Sequence, residues 1–397
     1  MATKILELDL AEQLQPVFYD KDYDHYRILI RSQKQPLGWV SFSNDDKGSV
    51  SPETLYNHIK KQLGNVEHQG LLRQLSREDA HNSSSVGISV VVCTRNRAAQ
   101  LSNCIIHLLA LKYEMYEIIV VDNAPSNDDT KQLTANLPVR YVQEEKPGLD
   151  WARNRGIAEA KYDIVAFTDD DVRVDANWLQ AIAKIFQDEQ VMGASGFVGA
   201  AELETPAQHL FELRYGGMGH GFNKCYFKKE RLSSRQLLWA SSFGIGANMA
   251  FRKEVFARIG GFDTALDVGT PSHGGGDVEM FHRLVAKEQL FVYDPSMLVW
   301  HYHRRETSAL KKQIFDNGRS FGCYLIDCYR KRTVSRWTVI KFFLKEWLYK
   351  WNLKNLFSRR STIPASYTLN EMRGMLTSPF AYIQTKRNDK NIRKKYQ

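Results

Sequence analysis

The fold is decided by the stretch DIVAFTDDD, residues 163–171. Its first six residues predict an apolar strand, and Asp169, Asp170 and Asp171 follow directly. In open α/β sheets, ligands bind in the crevice beyond the carboxyl ends of the strands. The three carboxylates therefore stand where a ligand site is expected.

Around this stretch, strands alternate with helices. The segments ISVVVC (88–93), EIIVV (117–121) and VRYV (139–142) predict further strands. A helix follows the first of them, and another is expected at about residues 151–160, just before DIVAFT. This alternation predicts an α/β domain whose mostly parallel sheet is covered by helices.

Three polar clusters follow predicted strands. They are TRNR (94–97), DN (122–123) and the aspartates at 169–171. Taken singly, each has an ordinary interpretation as a helix cap, a turn or a solvated loop. Because three strand ends at one sheet edge would bring the clusters together, their joint placement favours a ligand site.

Three adjacent carboxylates repel one another and are costly in a crevice unless a cation neutralises them. Carboxylate oxygens suit Mg²⁺ or Mn²⁺, and such an ion normally bridges protein carboxylates to phosphate oxygens. The sequence therefore predicts a divalent metal and a diphosphate-bearing ligand.

From Gly87 to about His303 the chain resembles the inverting family 2 glycosyltransferases with the GT-A fold, on its T-x-N-R loop, VDN turn and D-x-D motif. The resemblance implies that Asp169 and Asp171 hold the metal and that Asp170 serves the ribose or the sugar. It also implies a nucleotide-sugar site built from Thr94, Arg95, Asn96, Arg97, Asp122, Asn123, Gly148, Arg153, Asp169 and Asp170.

Two further segments extend the resemblance. PGLDWARNRG (147–156) looks like the family's G-x-x-x-A-R-N-x-G element, a helix start at which Arg153 could face the donor phosphates; the alternative is a helix start with surface arginines. Residues 246–251 and 260–263 resemble the strand and helix that lead to the catalytic loop.

The glycine-rich loop GTPSHGGGDVE, residues 269–279, supplies the expected general base, Asp277. The family usually has an acidic residue directly before this aspartate, and here Gly276 stands instead. Glu279 is the fallback base. An alternative role for Asp277, compatible with catalysis, is to cap the helix that follows.

A predicted strand over residues 290–299 leads into WHYHRR (300–305). The resemblance implies that His301 is the third metal ligand, with His303 as the second choice. A histidine near a strand end is more often a hydrogen-bonded structural residue, and that interpretation stays open.

Charge separates the C-terminal region from the rest. The net charge is +9, yet residues 304–397 alone contain 22 Lys and Arg against 6 Asp and Glu, so the remainder is acidic. A basic tail indicates an anionic partner, either a membrane surface or a nucleic acid. With the family resemblance we expect no nucleic acid and keep peripheral membrane contact open.

Cysteine usage and targeting signals bear on location. The 5 cysteines form no CxxC pair, which is typical of a reducing, cytosolic setting. The N-terminus lacks a secretory apolar region, and no apolar run reaches the ~18 residues of a spanning helix. We expect a cytoplasmic protein, with the inner face of the membrane as a contact surface.

Three regions are predicted. Residues 1–85 form a small α+β unit of unknown role, with strands at 26–31 and 37–42 and a helix capped by Ser51 and Pro52. It ends in the polar stretch HNSSS (81–85). Residues 86–306 form the catalytic domain. Residues 307–397 form a helical extension whose basic end, 387–397, is expected to fray.

An apolar stripe in the extension is expected to pack on the catalytic domain or, alternatively, to lie on a membrane. It comprises Trp337, Ile340, Phe343, Leu344, Trp347 and Trp351.

The predicted function is transfer of a sugar, with inversion, from a nucleotide sugar such as a UDP- or GDP-sugar to a hydroxyl of a glycan, lipid or other acceptor. A non-catalytic sugar-binding or scaffold protein of the same fold is the main alternative. A nucleotidyltransferase would need a glycine-rich loop where CTRNR (93–97) stands. A dehydrogenase would need G-x-G-x-x-G there.

Overall fold

The computed structural model describes residues 2–44, 48–64, 86–358 and 362–396. The predicted boundary stretch 81–85 lies outside these residues. The strands are β1 Thr3–Asp9, β2 Val17–Phe18, β3 His25–Ser32, β4 Gln35–Ser43, β5 Ser49–Val50, β6 Ile88–Thr94, β7 Tyr116–Asn123, β8 Arg140–Glu144, β9 Ile164–Asp169, β10 Val172–Val174, β11 Val191–Ala200, β12 Cys225–Phe227, β13 Asn248–Arg252 and β14 Leu290–His301.

The α-helices are α1 Pro52–Leu63, α2 Ala98–Leu109, α3 Asp129–Thr134, α4 Leu149–Glu159, α5 Trp178–Ile185, α6 Pro206–His209, α7 Ser234–Leu238, α8 Glu254–Ile259, α9 Gly276–Ala286, α10 Thr307–Lys331, α11 Arg336–Phe342, α12 Lys354–Phe357 and α13 Ala365–Lys395. Two π-helical segments, Leu210–Tyr215 and Phe343–Leu353, continue α6 and α11. Short 3-10 turns lie at Lys229–Arg231 and Ala240–Ser242.

The central sheet has the order β10-β14-β11-β13-β9-β6-β7-β8, with β12 added beside β14. Strands β9, β6, β7 and β8 are parallel, and β11 is parallel to β14. Strand β13 runs antiparallel between β9 and β11. The predicted α/β class with a mostly parallel sheet is confirmed.

Both faces of the sheet are covered, as expected for parallel strands. Along β6, Ile88, Val90 and Val92 pack with α2 and α5 on one face. Val91 points to the opposite face and packs with residues of α4, α9 and the C-terminal helices. Because successive side chains of a strand point to opposite faces of the sheet, β6 contributes residues to two separate hydrophobic cores.

The N-terminal unit is a three-stranded sheet, with β1 parallel and β4 antiparallel to β3, and α1 covers one face. Ser51 caps α1 as predicted, because its hydroxyl accepts from the Thr54 backbone N–H. Strand β1 was missed by the sequence analysis. The unit packs on the central sheet through Trp39 against Trp300 and through an ion pair of Arg31 with Asp175 at 2.6 Å.

The C-terminal extension is helical, and its basic end is not frayed. Helix α13 packs along α10 through Gly374 and Ser378 and continues to Lys395, where Asp389 and Arg393 contact Thr264 at 2.6 and 2.7 Å. The expectation of a frayed end at 387–397 is therefore wrong for the residues described.

The predicted apolar stripe of the extension is divided rather than continuous. A π-helical segment advances more than 3.6 residues per turn, so the register shifts after Phe342. Trp347 is buried, whereas Trp337 is 61% exposed and Leu344 is 51% exposed. Only part of the stripe packs on the catalytic domain. Among the described residues, no helix is long and apolar enough to cross a membrane.

Candidate active site

The three polar clusters meet at one sheet edge. The β6–β7 register pairs Thr94 with Asp122, and the β6–β9 register pairs Cys93 with Asp169. Parallel pairing therefore brings the strand ends together, as the sequence indicated.

Within the aspartate triplet the three carboxylates have different partners. Asp170 accepts from the Thr94 hydroxyl at 2.7 Å and from Arg97 at 2.6 Å. Asp171 accepts from the other Arg97 nitrogen at 2.7 Å and lies 3.3 Å from Nε2 of His301. Arg97 thus offsets part of the charge.

Burial separates the acidities of these groups. It raises the pKa of Asp170 to about 7, although Arg97 opposes the rise. Burial also raises the pKa of Asp169, and repulsion from Asp171 adds to the effect. At Asp171, burial is outweighed by His301 and Arg97, so the pKa falls below its ordinary value. The lowered pKa keeps Asp171 negatively charged, and this carboxylate lies beside the imidazole of His301.

Asp169, Asp171 and His301 form a cluster that could hold a cation. One ligand atom from each lies within 4.8 Å of the other two. Two carboxylate oxygens and an imidazole nitrogen are ligands that suit Mn²⁺ or Mg²⁺, with bonds of about 2.0–2.2 Å. The donor set and spacing fit a divalent ion.

His303 lies behind His301 and orients it. Nε2 of His303 is 3.1 Å from Glu212, and Nδ1 of His303 is 3.2 Å from Nδ1 of His301. A carboxylate only accepts, so His303 donates from Nε2 and accepts at Nδ1. His301 then donates from Nδ1 to His303, and its Nε2 faces Asp171, where it donates to the carboxylate when the imidazole is protonated and offers a lone pair to a cation when it is neutral. Burial lowers the pKa of His303, which favours this neutral form.

Glu212 connects this pair to the N-terminal unit. Its other oxygen lies 3.5 Å from a guanidinium nitrogen of Arg27 on β3. Arg27 also lies over the Trp39 ring at 4.5 Å. The sequence analysis missed Glu212 because it lies in a short helical segment without a motif.

A cavity of about 380 Å³ lies beside the triplet, and Thr94, Arg95, Arg97, Asn123 and Gly148 are among the residues that line it. Asn123 shapes its wall, since its amide accepts from Gly148 N–H and donates to the Lys146 carbonyl, each at 2.8 Å.

Asn96 and Asp122, which were predicted to contact the nucleotide, are not among the residues that line this cavity. Asn96 accepts from the Ser126 backbone N–H at 2.9 Å and thereby holds a neighbouring loop. Asp122 is fully buried and accepts from the Tyr141 hydroxyl at 3.1 Å. As placed, both support the walls of the site rather than line it.

Arg153 is buried, which excludes the alternative of a surface arginine. It pairs with Asp150 at 2.9 Å and lines a second cavity of about 140 Å³ together with Asp169 and Asp277. Asp267 also lines this cavity and accepts from the Asp150 backbone N–H. The sequence analysis missed Asp150 and Asp267; the i, i+3 spacing of Asp150 and Arg153 on a helix was the available signal.

Asp277 lies in the first turn of α9. Its Oδ2 accepts from Gly246 N–H at 2.9 Å, and its Oδ1 contacts the Val278 N–H. The alternative role of Asp277 as the helix cap is not observed, because α9 begins at Gly276 and Gly275, with φ 103°, holds the cap position. Only glycine adopts that backbone readily.

Glu279, the fallback base, faces away from these cavities. It is buried against Arg283 at 2.9 Å and Lys331 at 3.1 Å. Lys331 also pairs with Asp263 and Asp327, so its ammonium fills the centre of a second acidic cluster. This cluster ties α10 to the catalytic domain, and the placement of Glu279 does not suit a base.

The two cavities lie next to a third, of about 820 Å³, between the catalytic domain and the C-terminal helices. Val268 lines all three, and Asp277 lines the second and the third. Asp277 therefore stands between a compartment beside the cation cluster and a larger groove.

Residues 89–260 match the family model described as glycosyl transferase family 2. Hyaluronan synthase of Pasteurella multocida is 26% identical over 278 residues, covering 64% of this chain and 27% of that protein. Pre-mycofactocin glycosyltransferase of Mycobacterium tuberculosis is 28% identical over 224 residues, covering 55% and 43%. The chain thus spans less than half the length of either relative.

A solved mannosyltransferase from Pyrobaculum calidifontis, in complex with GDP-Man and Mn²⁺, aligns with a TM-score of 0.45 and 15% identity. The alignment covers 76% of this chain and 73% of that one. This likeness is too distant to bear on function.

Proposed function

We propose that the chain, whose residues 89–260 match the model of glycosyl transferase family 2, transfers a sugar from a nucleoside-diphosphate sugar to an acceptor hydroxyl with inversion. One observation carries this proposal: the cluster of Asp169, Asp171 and His301 lines one cavity, and Asp169 also lines the neighbouring cavity that contains Asp277.

In this proposal Asp169, Asp171 and His301 hold Mn²⁺ or Mg²⁺. When bound, such an ion offsets the charge of the diphosphate and of the leaving group. Thr94 and Arg97 hold Asp170 at the cavity wall, and the exposed Arg95 remains available to the nucleotide. The donor is a nucleotide sugar such as a UDP- or GDP-sugar.

Asp277 is the proposed general base. The acceptor oxygen bonds to the anomeric carbon as the bond to the diphosphate oxygen breaks, and the acceptor proton passes to Asp277. Gly246 N–H fixes one carboxylate oxygen, which leaves the group oriented at the junction of two cavities. Direct displacement on one face of the sugar inverts the anomeric configuration.

Nucleoside-diphosphate release tests the proposal. We expect the chain to hydrolyse at least one nucleotide sugar slowly with Mn²⁺ and to lose this activity in Asp171→Asn. Asp175→Asn, which alters a carboxylate of the N-terminal interface, is the matched control. Metal-dependent nucleotide binding without any turnover, with or without acceptors, would instead favour the sugar-binding alternative.

For the C-terminal extension we propose contact with an anionic membrane surface at the cytoplasmic side. Leu369, Leu376, Phe380 and Ile383 on α13 are 46–78% exposed and fall on one stripe of the helix. The exposed Arg373 and Arg387 flank them. Apolar insertion combined with basic flanks favours anionic lipid.

Vesicle sedimentation tests this contact. Vesicles with phosphatidylglycerol should bind the chain in low salt, and binding should fall at high salt and in Phe380→Asp. Vesicles of phosphatidylcholine alone should bind weakly. Equal binding to both vesicle types would contradict the proposal.

A further inference from the structure

The groove of about 820 Å³ is built jointly by the catalytic domain and the C-terminal extension. Trp239 and Ser242 contribute from one side, and Phe321, Trp351 and Glu371 contribute from the other. Its size falls in the range of ligand pockets. Without the extension the groove would have only one wall.

The groove leads to the proposed base. Asp277 lies where the groove meets the cavity of about 140 Å³, and Gly274 and Gly275 line both compartments. A molecule in the groove therefore reaches Asp277, while Asp169 of the cation cluster lines the smaller cavity and not the groove. An acceptor whose hydroxyl loses its proton to Asp277 needs this access to the base.

Two tryptophans dominate the apolar part of the groove. The rings of Trp239 and Trp351 are 6.1 Å apart between centroids and inclined by 61°. Trp239 is stacked on Phe321 at 5.2 Å, and Nε1 of Trp351 donates to Glu371 at 3.2 Å. Trp351 remains 37% exposed. Rigid aromatic faces of this kind pack against the C–H faces of sugar rings.

The polar part of the groove contains side-chain amides and charged side chains that form ion pairs with one another. Glu346 accepts from Arg235 at 2.9 Å and from Lys350 at 3.1 Å, so charges of both signs line the wall. Gln313 and Asn317 add amides that can donate and accept. An acyl chain would leave these groups desolvated without partners, whereas sugar hydroxyls satisfy both roles.

We infer that this groove binds the acceptor and that the acceptor is a saccharide, seated on Trp239 and Trp351 with one hydroxyl directed at Asp277. The product is then a glycosidic bond between two sugars. This inference rests on the proposed glycosyl transfer and adds the acceptor class and its site.

Saturation-transfer NMR with cellotetraose, chitotetraose, maltotetraose and mannotetraose tests the inference, using the full chain with diamagnetic Mg²⁺ and no donor. At least one oligosaccharide should receive saturation. Trp351→Ala should weaken its binding at least tenfold, and Trp351→Phe should restore most of it, which separates loss of the ring from misfolding. Trp337→Ala, an exposed tryptophan outside the groove, should bind as the original chain does.

Absence of saturation for all four oligosaccharides overturns the inference, as does undiminished binding by Trp351→Ala. Because the measurement omits the donor, it is independent of the donor-hydrolysis assay. Saccharide binding without hydrolysis would count against the proposed transfer alone, and hydrolysis without saccharide binding would count against the groove alone.

Discussion

The carboxylate of Asp150 fills the space beside Gly276 that any side chain at that position would need. A Cβ on residue 276 would overlap with Oδ2 of Asp150 and lie 2.9 Å from the Leu266 carbonyl oxygen. Asp150 belongs to the first turn of α4, and Gly276 begins α9, which bears Asp277. The starts of α4 and α9 therefore pack against each other at the site. A residue with a side chain would not fit at position 276, which explains the glycine there.

Gly276→Ala should destabilise the chain by about 1–3 kcal/mol, because overpacking forces a buried helix start to move. We also expect a loss of transfer activity, since Asp277 is the next residue. Urea unfolding and turnover measurements check both effects.

The double variant with Asp150→Gly is the control for that prediction. It should be more stable than the sum of the two single changes, since the overlapping carboxylate is gone. Additive losses would mean that Asp150 and Gly276 do not interact in the way the packing indicates.

Asp277→Asn should lower kcat by ~10²–10⁴ while donor affinity stays within a few fold, as expected for loss of a general base. Glu279→Gln is the informative comparison, because Glu279 pairs with Arg283 and Lys331 outside the cavities. It should reduce stability and change kcat less than tenfold. The reverse pattern would identify Glu279 as the base.

His303→Phe should weaken Mn²⁺ binding by ~10–100-fold, because His303 fixes the tautomer of His301 through the 3.2 Å contact of their Nδ1 atoms. Calorimetric titration of Mn²⁺ in the presence of nucleoside diphosphate measures the effect. An unchanged affinity would show that His301 is oriented without His303.

Arg27→Met should produce a smaller loss of Mn²⁺ affinity, since Arg27 contacts Glu212 and Glu212 holds His303. Arg31→Met serves as the comparison. It breaks the ion pair with Asp175 at the same interface, and among the described residues the side chain of Arg31 bonds to Glu7, Lys34 and Asp175 rather than to Glu212 or either histidine. Equal losses would indicate general loosening of the N-terminal unit.

Burial raises the pKa of Glu371 from an ordinary 4.5 to about 7, against hydrogen bonds from Tyr215 and Trp351. The folded state therefore prefers the protonated acid. As pH rises from about 4.5 to about 7, the unfolded chain loses this proton first, so stability falls by up to ~3 kcal/mol and stays lower above pH 7.

Glu371→Gln should remove that dependence. The variant should be more stable than the original chain at pH 8 and similar to it at pH 5, as measured by urea unfolding. A stability difference that does not change with pH would show that Glu371 does not titrate in this window.

Much of the fold could be predicted from the sequence because strand and helix periodicities are local. The segments ISVVVC, EIIVV and DIVAFT fall on β6, β7 and β9, and the order of these elements indicated a covered parallel sheet. The register of the C-terminal stripe could not be read, because a π-helical segment breaks the 3.6-residue period after Phe342. Nor could the helical structure of residues 387–395 be predicted, because it depends on contacts of Asp389 and Arg393 with the distant Thr264 and Trp151.

By itself, the sequence determined which side chains follow the strand ends, and therefore that Thr94, Asp122 and Asp169 would meet at one edge. Tertiary structure alone decided that Asp122 is buried beside Tyr141, that Glu279 belongs to a cluster around Lys331, and that Trp351 packs beside Trp239 in a groove. The physical reason is that strand registry follows from hydrogen bonds between neighbouring strands, whereas side-chain burial depends on what remote segments pack nearby.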